Sequence, residues 1–111
     1  MRPDEATLLD IRNSARLAVE FISGMDKTAF LCDLKTQSAV IHQCLILGEA
    51  VKRLSETFCN EHPELSWRKM ARMRDMLIHH YDSVDLEQLW NTMQNDIPQV
   101  ISTIDPLIPI P

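Results

Sequence analysis

The sequence predicts an all-α protein, a four- to five-helix up-and-down bundle. Three observations predict it. Apolar residues recur at the three- and four-residue spacing of helices, without strand-like alternation. Only two glycines occur, Gly24 and Gly48, which excludes a glycine-rich phosphate loop or dinucleotide fingerprint and disfavours most all-β folds. The 111 residues are 45% hydrophobic and 24% charged, the make-up of one ordered domain rather than a disordered or membrane-embedded chain.

Each element has its own signal. Leu8, Ile11, Ala15, Ala18, Val19 and Ile22 form one helical stripe. Pro3, Asp4 and Glu5 suit its start, and Gly24 its stop. A short helical piece is expected after Asp26. The next helix is read from about Leu34 to Asn60, with a wide stripe of Val40, Ile41, Cys44, Leu45, Leu47, Gly48, Val51, Leu54 and Phe58. That width predicts a central, heavily buried helix ended by His62-Pro63. Gly48 costs about 1 kcal/mol inside a helix, so close approach by a neighbouring helix is the expected reason for it. Ser66 is the expected N-cap of a helix reaching about His80. Asp82-Ser83-Val84-Asp85 reads as a turn, with Asp85 capping a last helix that carries Leu86, Leu89, Trp90, Met93, Ile97, Val100 and Ile104. Pro98 should kink or shorten that helix. One helical domain is expected over residues 1–105, followed by an extended, apolar, proline-spaced tail over 106–111. Such tails usually dock, on the same chain, a second copy or a partner.

The formal charge is −5, which argues against non-specific nucleic-acid binding. Its distribution is uneven. Arg68, Lys69, Arg72 and Arg74 face only Asp75 within residues 66–81, whereas residues 82–111 hold Asp82, Asp85, Glu87, Asp96 and Asp105 and no Lys or Arg. The three cysteines, Cys32, Cys44 and Cys59, are odd in number and lack metal-like spacing, as expected of reduced thiols in a cytoplasm. Met1-Arg2-Pro3-Asp4-Glu5 has no signal-peptide apolar stretch, and no run approaches the roughly 18 apolar residues of a membrane span.

The third long helix carries the chemistry. Trp67, Met70, Ala71, Arg74, Leu77, Ile78 and Tyr81 share one stripe, with Arg74 in its middle. Burying an unpaired guanidinium is very costly. Arg74 therefore either pairs with a buried acid such as Glu49 on the central helix or points into a cleft that receives a phosphate through its donor fork. His79 lies five residues on, about 140° round the helix from Arg74. The two converge only if the helix ends or distorts near His79, or if two copies meet across a two-fold axis. For His79 and His80 the bland reading is a pair of helix-terminal histidines stabilised by the macrodipole. Cys59-x-x-His62 lacks a second ligand pair, and adjacent His79 and His80 diverge, so no metal and no cofactor are expected. Met70, Met73, Met76 and Met93 read as core or interface fillers.

The segment Arg74-Asp75-Met76-Leu77-Ile78-His79-His80-Tyr81 has the form R-x4-H-x-Y and resembles the motif of HepT-type toxins in the HEPN superfamily. Gly48-Glu49-Ala50-Val51-Lys52-Arg53-Leu54, the approach from Pro63 to Trp67, Val84-Asp85-Leu86, and Trp90 followed by Asp96-Ile97-Pro98 extend the likeness over roughly residues 5–105. Asp75 stands where asparagine is frequent. The resemblance implies a homodimeric, metal-independent endoribonuclease, with transfer RNA as the target class and both motifs lining a cleft at the dimer axis. It also implies a minimal nucleotidyltransferase antitoxin that AMPylates Tyr81. Arg74 and His79 are then the expected catalytic pair: the imidazole as general acid/base near neutral pH, the guanidinium stabilising charge on phosphorus. Arg68, Lys69, Arg72, Asp75 and His80 are expected in supporting or RNA-binding roles. The competing expectation is a non-catalytic helical partner subunit of a nucleotidyltransferase, which suits the acidic charge and the apolar tail.

Overall fold

The computed structural model describes residues 3–109. Among them the regular structure is helical, in six α-helices: α1 (Pro3–Phe21), α2 (Lys27–Leu31), α3 (Leu34–Lys52), α4 (Glu56–Glu61), α5 (Trp67–His79) and α6 (Leu86–Ile104). Short 3-10 turns follow α5 at Tyr81–Ser83 and α6 at Asp105–Leu107. Four helices are long and two short. Helix α3 packs on α1 and α5, while α6 packs on α1 and, with α3, covers α2.

The predicted stripes form the core. Leu8, Ile11, Ala15, Ala18 and Ile22 of α1 meet Val40, Cys44, Leu47 and Val51 of α3, and Leu89, Met93, Ile97, Val100 and Ile104 of α6. Phe30 brings α2 into this core and lies 5.3 Å, ring to ring, from Trp90. Gln37 is buried and satisfied, its side-chain amide donating to the Phe30 carbonyl at 2.8 Å. Gly24 takes a left-handed φ of 80°, the conformation that ends α1 at least cost in a glycine.

The helix expected over Leu34–Asn60 is two helices. It stops at Lys52 because the chain has a better local option. The Ser55 hydroxyl accepts from the Phe58 amide at 3.1 Å, capping α4, and in turn donates to Asp4 at 2.6 Å. The Ser55 amide donates to the same carboxylate at 3.0 Å. A residue at the start of α1 thus fixes the break. Ser66 occupies the N-cap position of α5 but makes no side-chain cap hydrogen bond. The Trp67 indole secures this entry instead, donating to the His62 carbonyl at 2.8 Å. Asp85 does cap α6, accepting from the Gln88 amide at 3.1 Å. Helix α6 runs on through Pro98 to Ile104.

The chain after Asp105 is not extended from the outset. It opens with the 3-10 turn, and Ile108 is buried against the core. The Arg16 guanidinium grips both Asp105 oxygens, at 3.1 and 2.9 Å, which ties this turn to α1. Ile108, with Leu107 partly buried beside it, packs the tail on its own chain, while Pro109 is exposed; Ile110 and Pro111 lie outside the described residues. Among the described residues no helix is long and apolar enough to cross a membrane.

Candidate functional site

Helix α5 carries the candidate residues, and α3 sets their position. Gly48 makes the contact: a Cβ built there would overlap the Arg74 Cβ and lie 3.2 Å from the Met70 carbonyl oxygen. The two helices therefore meet where Gly48 has no side chain, as its mid-helix position predicted. This close approach fixes where the Arg74 side chain leaves the backbone.

The guanidinium is held at both ends. One terminal nitrogen lies 2.8 Å from Glu49 Oε2 and the other 3.0 Å from Asp75 Oδ1. Asp75 is shared with Lys52, whose Nζ lies 2.9 Å from the same oxygen. Hydrogen bonds from Lys52 and then Arg74 hold the Asp75 carboxyl below the usual carboxylate range. The Glu49 pairing weighed from sequence is present, but it is not buried: the Glu49 side chain is 48% exposed and that of Arg74 24%. The result is a surface chain of alternating charge, Glu49–Arg74–Asp75–Lys52, open to solvent on one side. A guanidinium has five donor hydrogens, and two ion pairs leave others for an incoming oxyanion.

His79 is the last residue of α5, His80 its C-cap, and Tyr81 opens the 3-10 turn; all three are exposed. Among the described residues neither histidine side chain forms a hydrogen bond or ion pair, while the His80 backbone amide donates to the Met76 carbonyl at 2.9 Å. Because His79 is still helical, its side chain leaves the axis about 140° round from that of Arg74. The helix end does not bring the two together within one chain. His79 instead continues the stripe Arg68, Arg72, Asp75, spaced at four, three and four residues along one exposed face. Arg68 and Arg72 make no ion pair among the described residues, whereas Lys69 is tied to Asp96 of α6 at 3.0 Å. Lys52 is the basic residue that sequence reasoning missed. Its signal was present, since Glu49 and Lys52 stand one helical turn apart beside the glycine that faces α5.

Helix α5 packs closely on α3 but not on α6. Between α5 and α6 lies an open groove of about 410 Å³, with Met70, Met73, Met76 and Val100 as apolar lining and Lys69, Arg72, Gln88 and Asp96 among its polar groups. Exposed apolar groups gather at this end of α5: Met76 is 58%, Ile78 40% and Tyr81 76% exposed.

The cysteines offer no activated nucleophile in the core. Burial pushes the Cys44 thiol up to about 12, and burial followed by the Asp4 charge raises that of Cys59. His62, the other half of Cys59-x-x-His62, sits 3.2 Å from Glu64 and stacks 4.5 Å from the Phe58 ring. Those contacts explain it as a structural residue at the end of α4.

A family model described as "Ribonuclease HepT-like" matches residues 11–107, which includes the whole of α3, α5 and α6. Among curated relatives, "Probable ribonuclease HepT" of Thermococcus cleftensis is 48% identical over 93 residues, covering 84% of each chain. "Putative RNase MJ0127" of Methanocaldococcus jannaschii is 42% identical over 103 residues, covering 93% of this chain and 85% of that one. "Putative RNase TTE0752" of Caldanaerobacter subterraneus is 31% identical over 100 residues, covering 90% and 89%. No solved structure matches the chain. A helical core built on α1, α3 and α6, with R-x4-H-x-Y at the end of α5, and a family match over most of its length have one common reading: the chain belongs to the HepT-like ribonuclease family of the HEPN superfamily.

Proposed function

We propose that the protein is a metal-independent endoribonuclease, the toxin of a toxin–antitoxin pair, which acts on transfer RNA as a homodimer. The observation that carries this reading is the family match spanning α5, with Arg74 on the helix wall and an unpaired His79 at its solvent-facing end. The reaction uses the substrate's own 2′-hydroxyl. His79 takes that proton as the 2′-oxygen bonds to phosphorus. The bond from phosphorus to the 5′-oxygen then breaks, and the leaving oxygen takes a proton from an imidazolium. Arg74 stabilises the charge that builds on the phosphoryl oxygens. Arg68 and Arg72, along the face that ends at His79, contact the flanking phosphates, with strongly salt-dependent binding as the consequence. Cleavage of transfer RNA in the presence of EDTA, lost in variants at Arg74 and His79, tests the reading.

A two-fold partner supplies what one chain lacks, since Arg74 and His79 diverge round α5. The exposed Met76 beside the apolar groove gives a second copy a surface to cover. Met76→Glu should therefore convert the dimer to monomer without unfolding it, because the side chain is mostly in solvent. Sedimentation mass reads the outcome: a wild-type mass near 12.8 kDa at working concentration, or a variant that stays dimeric, counts against this surface.

Tyr81 is proposed as the residue that a minimal nucleotidyltransferase AMPylates. Its 76% exposure and its place in the turn just after α5 support this. The nucleotide adds an anionic phosphate close to the helix end that carries His79, opposing RNA electrostatically and sterically. Intact-mass analysis after incubation with the enzyme and ATP should show AMP on the wild type and none on Tyr81→Phe. A Tyr81→Phe protein that still gains the mass refutes the site.

A further inference from the structure

We propose that Glu49, on α3, is a positioning residue for the reaction: it fixes the plane of the Arg74 guanidinium so that its remaining donors face the phosphoryl group. The inference rests on the ribonuclease reading above. It starts from the two ends of the clamp. Glu49 Oε2 holds one terminal nitrogen at 2.8 Å and Asp75 Oδ1 the other at 3.0 Å. A single carboxylate would leave the fork free to swing about that contact. Two, on opposite ends and on different helices, define its plane. Asp75 is itself restrained by Lys52. The Cβ end of the side chain is fixed independently, by the contact with Gly48 one residue before Glu49. Adjacent residues of α3 thus set both where Arg74 leaves its helix and where its charge ends.

The position of Glu49 makes the role distinguishable from ordinary stabilisation. The ion pair is partly solvated, and such pairs add little to folding stability. A carboxylate beside a phosphate-binding guanidinium also repels the substrate. Orientation is the benefit that offsets this weaker binding: a small misplacement of a catalytic group costs a large factor in rate.

Steady-state cleavage of transfer RNA by wild type and Glu49→Gln, with melting temperatures for both, tests the proposal. Glutamine keeps the length and an acceptor oxygen but removes the charge. The expected result is split in sign: kcat falls by about tenfold or more as the guanidinium loosens, KM falls because a negative charge is gone, and melting is unchanged. In an Arg74→Ala background the same change should leave kcat where it was, since the group it positions is absent. A lower KM with kcat intact would mean that Glu49 only competes with substrate, and overturns the proposal. So does a kcat loss matched by a fall in folded protein, or one that persists in the Arg74→Ala background. If wild type itself cleaves no RNA, the ribonuclease reading fails first and carries this one with it.

Discussion

Arg74→Ala and His79→Ala should each lower RNA cleavage by about 100-fold or more, measured with EDTA present. The expected magnitude follows from the role proposed for each group. Arg74 would offer donors to charge that develops on phosphorus, in a place where water would otherwise have to reorganise. His79 would move the proton without which the 2′-oxygen is a poor nucleophile. Their effects on folding should differ. His79 is exposed and unpaired, so His79→Ala should leave the melting temperature within experimental error. Arg74→Ala strips the central cation from a four-charge chain and leaves Glu49 beside Asp75 with only Lys52 to offset them. A modest fall in stability is expected there, together with sharper salt dependence of folding. Equal cleavage by wild type and both variants would remove the catalytic assignment and leave the reading as a helical partner subunit.

Much of this was legible in the chain, because helical periodicity is a local signal that the core then uses directly. The stripes of α1, α3 and α6 pointed inward as spaced, and the two isolated punctuators, Gly24 and Asp85, ended and began helices where expected. The break between α3 and α4 was harder to see for a physical reason. Leu54 and Phe58 continue the apolar pattern across it, while the hydrogen bonds that decide it come from Asp4, some fifty residues away. The end of the chain was misread for a similar reason. Its prolines exclude a long helix but tolerate a 3-10 turn, and the bond that holds that turn reaches back to Arg16.

The site shows the same division. The motif and its helix could be read from sequence, as could Glu49 as a partner for Arg74. The solvent exposure of that pair could not, because Gly48 brings the helices so close that the arginine is guided along α3 to its surface instead of into the core. Lys52 does not stand out, because a helix read as running on to Asn60 places it as one more mid-helix lysine of a solvated face. Only the packing of α3 on α5 shows it restraining Asp75.

Gly48→Ala is the substitution in which local propensity and packing disagree most. Alanine is favoured over glycine by about 1 kcal/mol in a helix interior, so an isolated α3 would gain from the change. In the folded chain the new methyl would overlap the Arg74 Cβ, lie 3.0 Å from its Cγ and 3.2 Å from the Met70 carbonyl oxygen. None of these is the far end of a flexible side chain, so relief requires α5 to move as a body. Overpacking of this kind costs about 1–3 kcal/mol and should outweigh the propensity gain. The expected result is a melting temperature lower by several degrees, at roughly 4–8 °C per kcal/mol for a domain near this size. Cleavage by the remaining folded protein should fall too, because a shift of α5 off α3 pulls Arg74 away from Glu49. Valine should be worse than alanine on both counts. A Gly48→Ala protein that melts higher than wild type and cleaves as well would show that α5 yields freely, and that the contact with α3 does not place Arg74.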